Sequence, residues 1–281
     1  MPRLLMVEGI IGSGKTTTAR WLQAFLNTHG IASELFLEGD LNHPADYEST
    51  AWIEATGWDF LLASYPKHAA TLQEIGKPDQ HGGHLVEYGK MEHAFGDRLP
   101  ATLYEDLARK SVYDGTPLGV HQRLLQERWR NFAESYDRED AVIIFECCFL
   151  QNPLMKFVVQ HDADVAELTA HLQGIAEMLA ALNPVVIYLS PPDMRGTLAR
   201  AMQERSSEWL GAVIRYHAEQ SYGQTHDLRG VKGLLDFLSV RRALEQDIMA
   251  NLPMQTVIVD SEVRTARWTE LTALLTRWYE M

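Results

Sequence analysis

The chain has 281 residues, 46% of them hydrophobic, and a formal net charge of −13 at pH 7. Because nucleic-acid backbones are held by clustered Lys and Arg, this charge argues against a nucleic-acid partner. No apolar run is long enough to span a bilayer and the N-terminus lacks the plan of a signal peptide, so we expect a cytoplasmic protein without a membrane partner. The two cysteines, Cys147 and Cys148, are adjacent, which favours reduced thiols over a disulfide.

The strongest motif lies almost at the start of the chain. Residues 9 to 17 match G-x-x-x-x-G-K-[ST], with a strand-length apolar run before them and apolar residues at helical spacing after them. This order predicts a strand, a phosphate-binding loop and a helix. Lys15 is expected to reach the β- and γ-phosphates, and the Thr16 hydroxyl to bind Mg²⁺. The residues expected around the nucleotide are Gly9, Gly12, Ser13, Gly14, Lys15, Thr16 and Thr17.

A second strand is predicted at residues 35 to 37, with Asp40 just beyond it. Ligands of an open parallel sheet lie beyond the carboxyl ends of its strands, so we expect Asp40 near the γ-phosphate, where it would accept the acceptor's proton. A turn-forming aspartate is the alternative. His43 stands before a proline and is assigned either to acceptor binding or to the turn.

The region from about 74 to 98 breaks the alternation of strands and helices and is interpreted as an irregular insert or hairpin. Six glycines and prolines punctuate residues 74 to 98, where residues 84 to 88 form a candidate short strand. Helices are predicted at 100 to 110 and 117 to 136. Arg128 on the second of these helices is assigned to the acceptor side, with a solvated helix face as the alternative.

The remaining strands are predicted at 141 to 146, 185 to 189 and 256 to 260. Glu146 ends the first of them and is interpreted as a Mg²⁺-orienting residue or a strand cap, and Gln151 after it as an acceptor contact. A helix opening near residue 191 carries Arg200 and Arg205, which are interpreted as lid arginines converging on the γ-phosphate, or as surface arginines.

Together these elements predict an α/β fold: a five-stranded doubly wound parallel sheet of the P-loop NTPase type with a helical lid. We expect a single domain over residues 1 to 281, with an acceptor-side insert at about 41 to 135 and a helical cap at about 191 to 250. The other predicted helices lie at 162 to 182, 207 to 222, 232 to 250 and 265 to 279.

Three segments carry a family resemblance. Glu8 to Thr17 resembles the loop of nucleoside and nucleotide kinases, and Phe36 to Asp40 with His43 resembles the second-strand end of gluconate kinases. Tyr188-Leu189 and the helix with Arg200 and Arg205 are similar to deoxynucleoside and thymidylate kinases. The resemblance covers the five-strand framework, about half of the chain, and leaves out residues 41 to 135 and 207 to 250. Two positions depart from deoxynucleoside kinases: their acid–arginine pair after the third strand is Glu146-Cys147 here, and their second-strand Glu-Pro is Gly39-Asp40. The identity of the acceptor therefore stays open.

This resemblance implies a Mg²⁺-dependent kinase that moves the γ-phosphate of ATP to a hydroxyl of a small molecule. One alternative has the same chemistry and a different role, the inactivation of an antibiotic. The other is a nucleotide-hydrolysing switch, although the sequence has neither an Asn-Lys-x-Asp nor a Leu-Ser-Gly-Gly-Gln motif. The sequence leaves ATP against GTP preference and the oligomeric state open, with a homodimer as one option.

Overall fold

The computed structural model describes residues 1–136 and 141–280. Its chain divides into two compact units, one formed by Met1–Glu38 with Trp129–Met281 and the other by Gly39–Arg128. The described strands are β1 Leu4–Gly9, β2 Ser33–Phe36, β3 Ala51–Glu54, β4 Lys77–Pro78, β5 Gly83–Val86, β6 Val142–Glu146, β7 Val185–Leu189 and β8 Gln255–Val259.

Five of these strands form the parallel sheet of the first unit. Its order is β2-β6-β1-β7-β8, and Met6 of β1 lies between Phe145 and Val186 of its two neighbours. Every residue of β1, β6 and β7 is buried. A central parallel strand has no solvent face, which explains why these three segments are continuous apolar runs ending in Glu8-Gly9, Glu146 and Leu189.

Thirteen α-helices are described in residues 1–136 and 141–280. They are α1 Lys15–Thr28, α2 Ala55–Ser64, α3 Ala69–Ile75, α4 Tyr88–Phe95, α5 Ala101–Ala108, α6 Leu118–Tyr136, α7 Gln151–Leu154, α8 Val165–Met178, α9 Met194–Glu204, α10 Ser207–Ala218, α11 Ser221–Thr225, α12 Gly230–Ala250 and α13 Arg264–Tyr279. Short 3₁₀ turns at Gly96–Arg98 and Ala180–Leu182 and a π-helix at Met155–Gln160 complete the helical elements.

The core of the first unit lies on the faces of the parallel sheet. On one face, Leu22 of α1 and Leu271 of α13 belong to the same buried cluster as Val7 and Ile187 of the sheet. Elsewhere in this unit the Trp129 ring packs edge-on to Phe145 and Phe149 at 5.7 and 6.0 Å between ring centroids. Close packing therefore fixes β1 and β6, the two strands whose ends carry the loop and Glu146.

The second unit contains a small antiparallel sheet of order β3-β5-β4. Its core is formed by apolar residues from β3, β5 and helices α2 to α5: Ala51, Ile53, Trp58, Leu61, Leu72, Val86, Met91, Leu99, Leu103 and Leu107. The predicted strand at 84 to 88 is present as β5. The sequence does not predict β3 and β4, because β4 has only two residues and the four residues of β3 run directly into α2.

The predicted fold class is confirmed: five parallel strands with intervening helices build the first unit. All five predicted strands of this sheet are present, with bounds shifted by a few residues. Gly39–Arg128 covers most of the range predicted as an insert. The single-domain organisation stays a prediction.

Candidate functional site

The phosphate-binding loop lies between β1 and α1, as the sequence predicts. Gly14 adopts a left-handed conformation with φ 92°, and a Cβ atom there would lie 2.6 Å from Nη1 of Arg267. Gly9 has φ 141°, and a Cβ there would lie 2.5 Å from the carbonyl oxygen of Leu189. Only glycine combines these backbone angles with such close neighbours, so the two positions fix the path of the loop.

The side chain of Lys15 is hydrogen-bonded to backbone carbonyl groups of the loop. Its Nζ donates to the carbonyl oxygens of Gly9 and Ile10 at 3.0 and 3.3 Å. The first turn of α1 contains no acidic residue, so no carboxylate of the helix itself opposes its positive end. The loop, the ammonium group and the helix end together offer the N–H donors and positive charge that suit an anion.

Thr16 and Glu146 meet across the ends of α1 and β6. The Thr16 hydroxyl donates to Oε1 of Glu146 at 2.6 Å. Burial raises the pKa of Glu146, and this hydrogen bond partly opposes the increase. Ligand atoms of Glu38, Glu146 and Cys147 lie within 4.8 Å of one another. The oxygens of this group suit Mg²⁺, whereas the Cys147 thiol, whose pKa burial raises, does not.

Glu38 is the functional candidate that sequence reasoning missed. It follows β2 by two residues, is exposed, and lines the same cavity as Lys15 and Glu146. Its Oε1 accepts a hydrogen bond from Nε2 of Gln151 at 3.0 Å. The sequence signal, an acid just beyond the second strand, is shared by Glu38 and Asp40 and does not distinguish them.

Gln151 is also held from the opposite side by a buried cation. Its Oε1 accepts from Nη2 of Arg241 at 3.2 Å, and the same Nη2 donates to the Gly9 carbonyl at 3.3 Å. Arg241 has no exposed surface and pairs with Glu245 at 2.9 Å. Glu245 in turn accepts from the Tyr188 hydroxyl at 2.6 Å. This network joins α12 to the start of the loop and to Gln151.

Glu8, the residue before the loop, holds the chain segment that follows β6. Its carboxylate accepts hydrogen bonds from the backbone N–H groups of Phe149, Leu150 and Gln151 at 2.8, 3.0 and 3.3 Å. Burial raises the pKa of Glu8 to about 7, although the hydrogen bonds to the backbone oppose the increase. Glu8 thereby connects the loop with the segment between Glu146 and Gln151.

The predicted lid arginines lie in different surroundings. Arg205 lines the cavity, with its guanidinium 4.6 Å from the centroid of the Trp209 ring. Arg200 is exposed, donates to Oγ1 of Thr197 at 3.0 Å, and is not among the residues that line this cavity. The structure therefore brings Arg205 to the loop's cavity without Arg200.

The cavity has a volume of about 580 Å³. Its lining comes from the loop and α1, from the ends of β2 and β6, and from the helices after them: Ile11, Gly12, Gly14, Lys15, Thr16, Thr17, Glu38, Glu146, Gln151, Asn152, Met155, Glu204, Arg205, Trp209, Val213, Tyr216 and His217. Gly9 and Ser13 belong to the loop without lining the cavity.

Three predicted residues lie in the second unit. Oδ1 of Asp40 accepts from the backbone N–H of Asn42 at 2.8 Å, as in a turn. His43 is buried, and Nη2 of Arg128 donates to its carbonyl oxygen at 2.9 Å. Burial, and then Arg128, lower the pKa of His43 to about 3. The structure thus brings His43 and Arg128 together, and their role in acceptor binding stays a prediction.

Among the described helices, none is both long and apolar enough to cross a lipid bilayer. No family model matches the sequence, and no curated protein matches it.

The solved structures that are similar to the chain include two kinases. One is thymidylate kinase from Candida albicans, with 12% sequence identity and a TM-score of 0.44. The match covers 98% of this chain and 92% of the thymidylate kinase chain. The other is deoxyadenosine kinase from M. mycoides with bound dATP, with 13% sequence identity and a TM-score of 0.40. The match covers 97% of this chain and 98% of the deoxyadenosine kinase chain.

The raised pKa of Glu8 generates a stability prediction. Between its ordinary pKa of 4.5 and its folded value of about 7, the carboxyl ionises more readily in the unfolded chain. Increasing pH across this window therefore destabilises the fold, by up to about 3 kcal/mol. Glu8→Gln cannot ionise and should lose this part of the pH dependence. Urea unfolding of both proteins at pH 5 to 8 measures the difference.

Glu34→Gln provides the control, because it makes the same chemical change at an exposed carboxyl group of β2. The histidines that titrate in the same range are common to all three proteins and cancel in the comparison. Parallel pH profiles for wild type and Glu8→Gln would contradict the assignment.

Proposed function

We propose that this protein is a Mg²⁺-dependent kinase that transfers the γ-phosphate of ATP to a hydroxyl group of a small molecule. One observation carries the proposal: the loop with Lys15, the Thr16–Glu146 pair and Arg205 line a single cavity that extends beyond the loop. Phosphoryl transfer mainly requires that groups be positioned and that spreading negative charge be neutralised. These residues provide both.

Phosphate binding is assigned to the loop and to Lys15. In this structure the ammonium group is bonded to two loop carbonyls, and a polyphosphate offers it a stronger, charged acceptor. The free N–H groups at the start of α1 and the positive end of its helix dipole both face the loop. The loop amides and Lys15 therefore bind the β- and γ-phosphates.

The metal site is assigned to Thr16 and Glu146, with Glu38 beside them as a third candidate ligand that could instead act as the base. Their hydroxyl and carboxylate oxygens are the donors that Mg²⁺ prefers. When bound, Mg²⁺ neutralises charge on the β- and γ-phosphates. Glu146 is held for this role by Thr16 and by close packing of β6, and Glu38 by Gln151.

In the transfer step the acceptor's oxygen forms a bond to the γ-phosphorus while the bond to the bridging oxygen of ADP breaks. The acceptor's proton passes to a carboxylate, for which Glu38 and Asp40 compete. Glu38 lines the cavity, whereas Asp40 makes a turn in the second unit. Arg205 neutralises charge that develops on the transferred group.

A nucleotide-hydrolysing switch is the alternative function, and dependence of turnover on an acceptor separates it from a kinase. Besides the loop, the cavity is lined by Gln151, Asn152, Met155 and α10, which are candidate contacts for an acceptor. Inactivation of an antibiotic would use the same residues and the same chemistry, so it remains the second role for this activity.

The first test of the function is transfer itself. With Mg-ATP, the protein should release ADP slowly alone and much faster with an acceptor from a library of hydroxyl compounds. Lys15→Ala should abolish nearly all of this transfer, because the loop loses its phosphate-binding cation, while the melting temperature without nucleotide changes little. Lys67→Ala, an exposed lysine of the second unit, is the control. Turnover that is fast without any acceptor would instead identify a switch.

The two lid arginines provide a matched pair. Arg205→Ala should lower kcat by about 10²-fold or more, since a charge-stabilising group acts mainly in the transition state. Arg200→Ala removes an equally exposed arginine that does not line the cavity and should change kcat less than about threefold. Steady-state kinetics of both variants decide the assignment, and an equal loss in the two would place Arg200 in the lid as well.

Glu38→Gln and Asp40→Asn separate the two candidate bases. The residue that accepts the proton should lose about 10²–10⁴-fold in rate on amide substitution, with nucleotide affinity almost unchanged. A residue that orients Mg²⁺ should instead raise the Mg²⁺ requirement, and excess metal should restore part of the rate. Nucleotide affinity and rate are measured against Mg²⁺ concentration for both variants. Metal rescue of Glu38→Gln, with a metal-independent loss in Asp40→Asn, would assign the base to Asp40.

A further inference from the structure

One face of α10 forms an aromatic and apolar wall of the cavity. Trp209, Val213, Tyr216 and His217 line it, at the spacing that places side chains on one side of a helix. Residues 207 to 250 lie outside the part of the chain that carries the kinase resemblance, so nothing in those motifs specifies what this wall contacts.

His217 is a polar side chain of this wall. It is 6% exposed, and its Nδ1 is buried without a hydrogen-bond partner among the residues that the structure describes. Burial, followed by Arg241 and Lys15, lowers the pKa of His217 to about 3, so the ring is neutral at physiological pH. A neutral imidazole has one donor and one acceptor, which complements a hydroxyl group.

The charges around the cavity limit what that hydroxyl compound is. Its cationic lining residues are Lys15 and Arg205, both assigned to the phosphates of the nucleotide, and its acidic ones are Glu38, Glu146 and Glu204. With Mg-ATP in place the cavity therefore remains net negative, and the described lining residues include no further cation for an acceptor's own phosphate or carboxylate. A positively charged acceptor is attracted.

The wall already holds a cation in this structure. The guanidinium of Arg205 lies 4.6 Å from the Trp209 ring centroid, the geometry of a cation–π contact. The role assigned to Arg205 requires its guanidinium to turn to the phosphates. The face of the Trp209 ring is then available to another organic cation.

We propose that the α10 face formed by Trp209, Val213, Tyr216 and His217 binds the phosphoryl acceptor, and that this acceptor is a hydroxyl compound carrying a protonated amine rather than a phosphorylated or otherwise anionic one. The inference rests on the proposed kinase function and narrows its substrate class. His217 contacts the acceptor hydroxyl, and the aromatic rings with Glu204 contact its cationic part.

Three probes that share a phenol ring and differ in charge test this class: tyramine, 4-hydroxyphenethyl alcohol and 4-hydroxyphenylacetate. Binding of each is measured by NMR titration of the full chain saturated with a non-hydrolysable ATP analogue and Mg²⁺. Tyramine should bind at least about tenfold more tightly than the acetate, with the neutral alcohol between them. The net negative cavity attracts the ammonium group of tyramine and repels the carboxylate of the acetate. Equal affinities, a preference for the acetate, or binding by none of the three would overturn the proposal.

Variants locate the binding. Trp209→Ala and His217→Asn should each weaken tyramine binding, and Glu204→Gln should reduce its preference over the neutral alcohol. Glu204 is exposed, so its variant keeps the test valid if a change at buried His217 disturbs folding. The control is Phe60→Ala, which alters an exposed aromatic residue in a separate cavity of about 630 Å³ within the second unit. Loss of binding in Phe60→Ala but not in Trp209→Ala would overturn the assignment.

The nucleotide affinity of every sample is measured in the same series. If the ATP analogue does not bind, the kinase function itself fails. If it binds and the probes are not distinguished by charge, only the acceptor class fails.

Discussion

The phosphate-binding loop depends on one backbone oxygen, the carbonyl of Gly9. Lys15 donates to it from inside the loop at 3.0 Å, and Arg241 donates to it from α12 at 3.3 Å. In the proposed function, nucleotide binding would draw Lys15 away to the phosphates, whereas Arg241 is fully buried. The carbonyl would then keep Arg241 as a cationic partner, and the loop would keep its path when its lysine moves.

Burying Arg241 requires compensation from its neighbours. Taking a charge out of water costs several kcal/mol unless it is paired and hydrogen-bonded. Glu245 supplies the opposite charge one helical turn away, and Tyr188 donates to Glu245 from the sheet. One arginine thus connects a cap helix, a central strand and the loop. Because the pair is buried, losing either partner would leave an isolated charge in the interior, so these three elements are held in one arrangement.

The sequence was informative where local pattern decides structure and misleading where distant contacts decide it. Apolar runs predicted all five strands of the parallel sheet, and glycine spacing predicted the loop around Lys15. Arg241 and Glu245 stand four apart on a helix, a spacing typical of solvent-exposed pairs, and only the fold shows that they are buried. Glu38 was passed over for Asp40 because a shift of two residues at a strand end cannot be resolved from composition.

The two cysteines have a practical consequence for chemical labelling. Cys147 and Cys148 are 1% and 2% exposed, and burial raises the pKa of the Cys147 thiol well above its usual value. Since thiols react with maleimides and oxidants as exposed thiolates, buried thiols of this kind are poor targets. A dye or spin label can therefore be attached to a single cysteine introduced at the surface, with both native cysteines left in place.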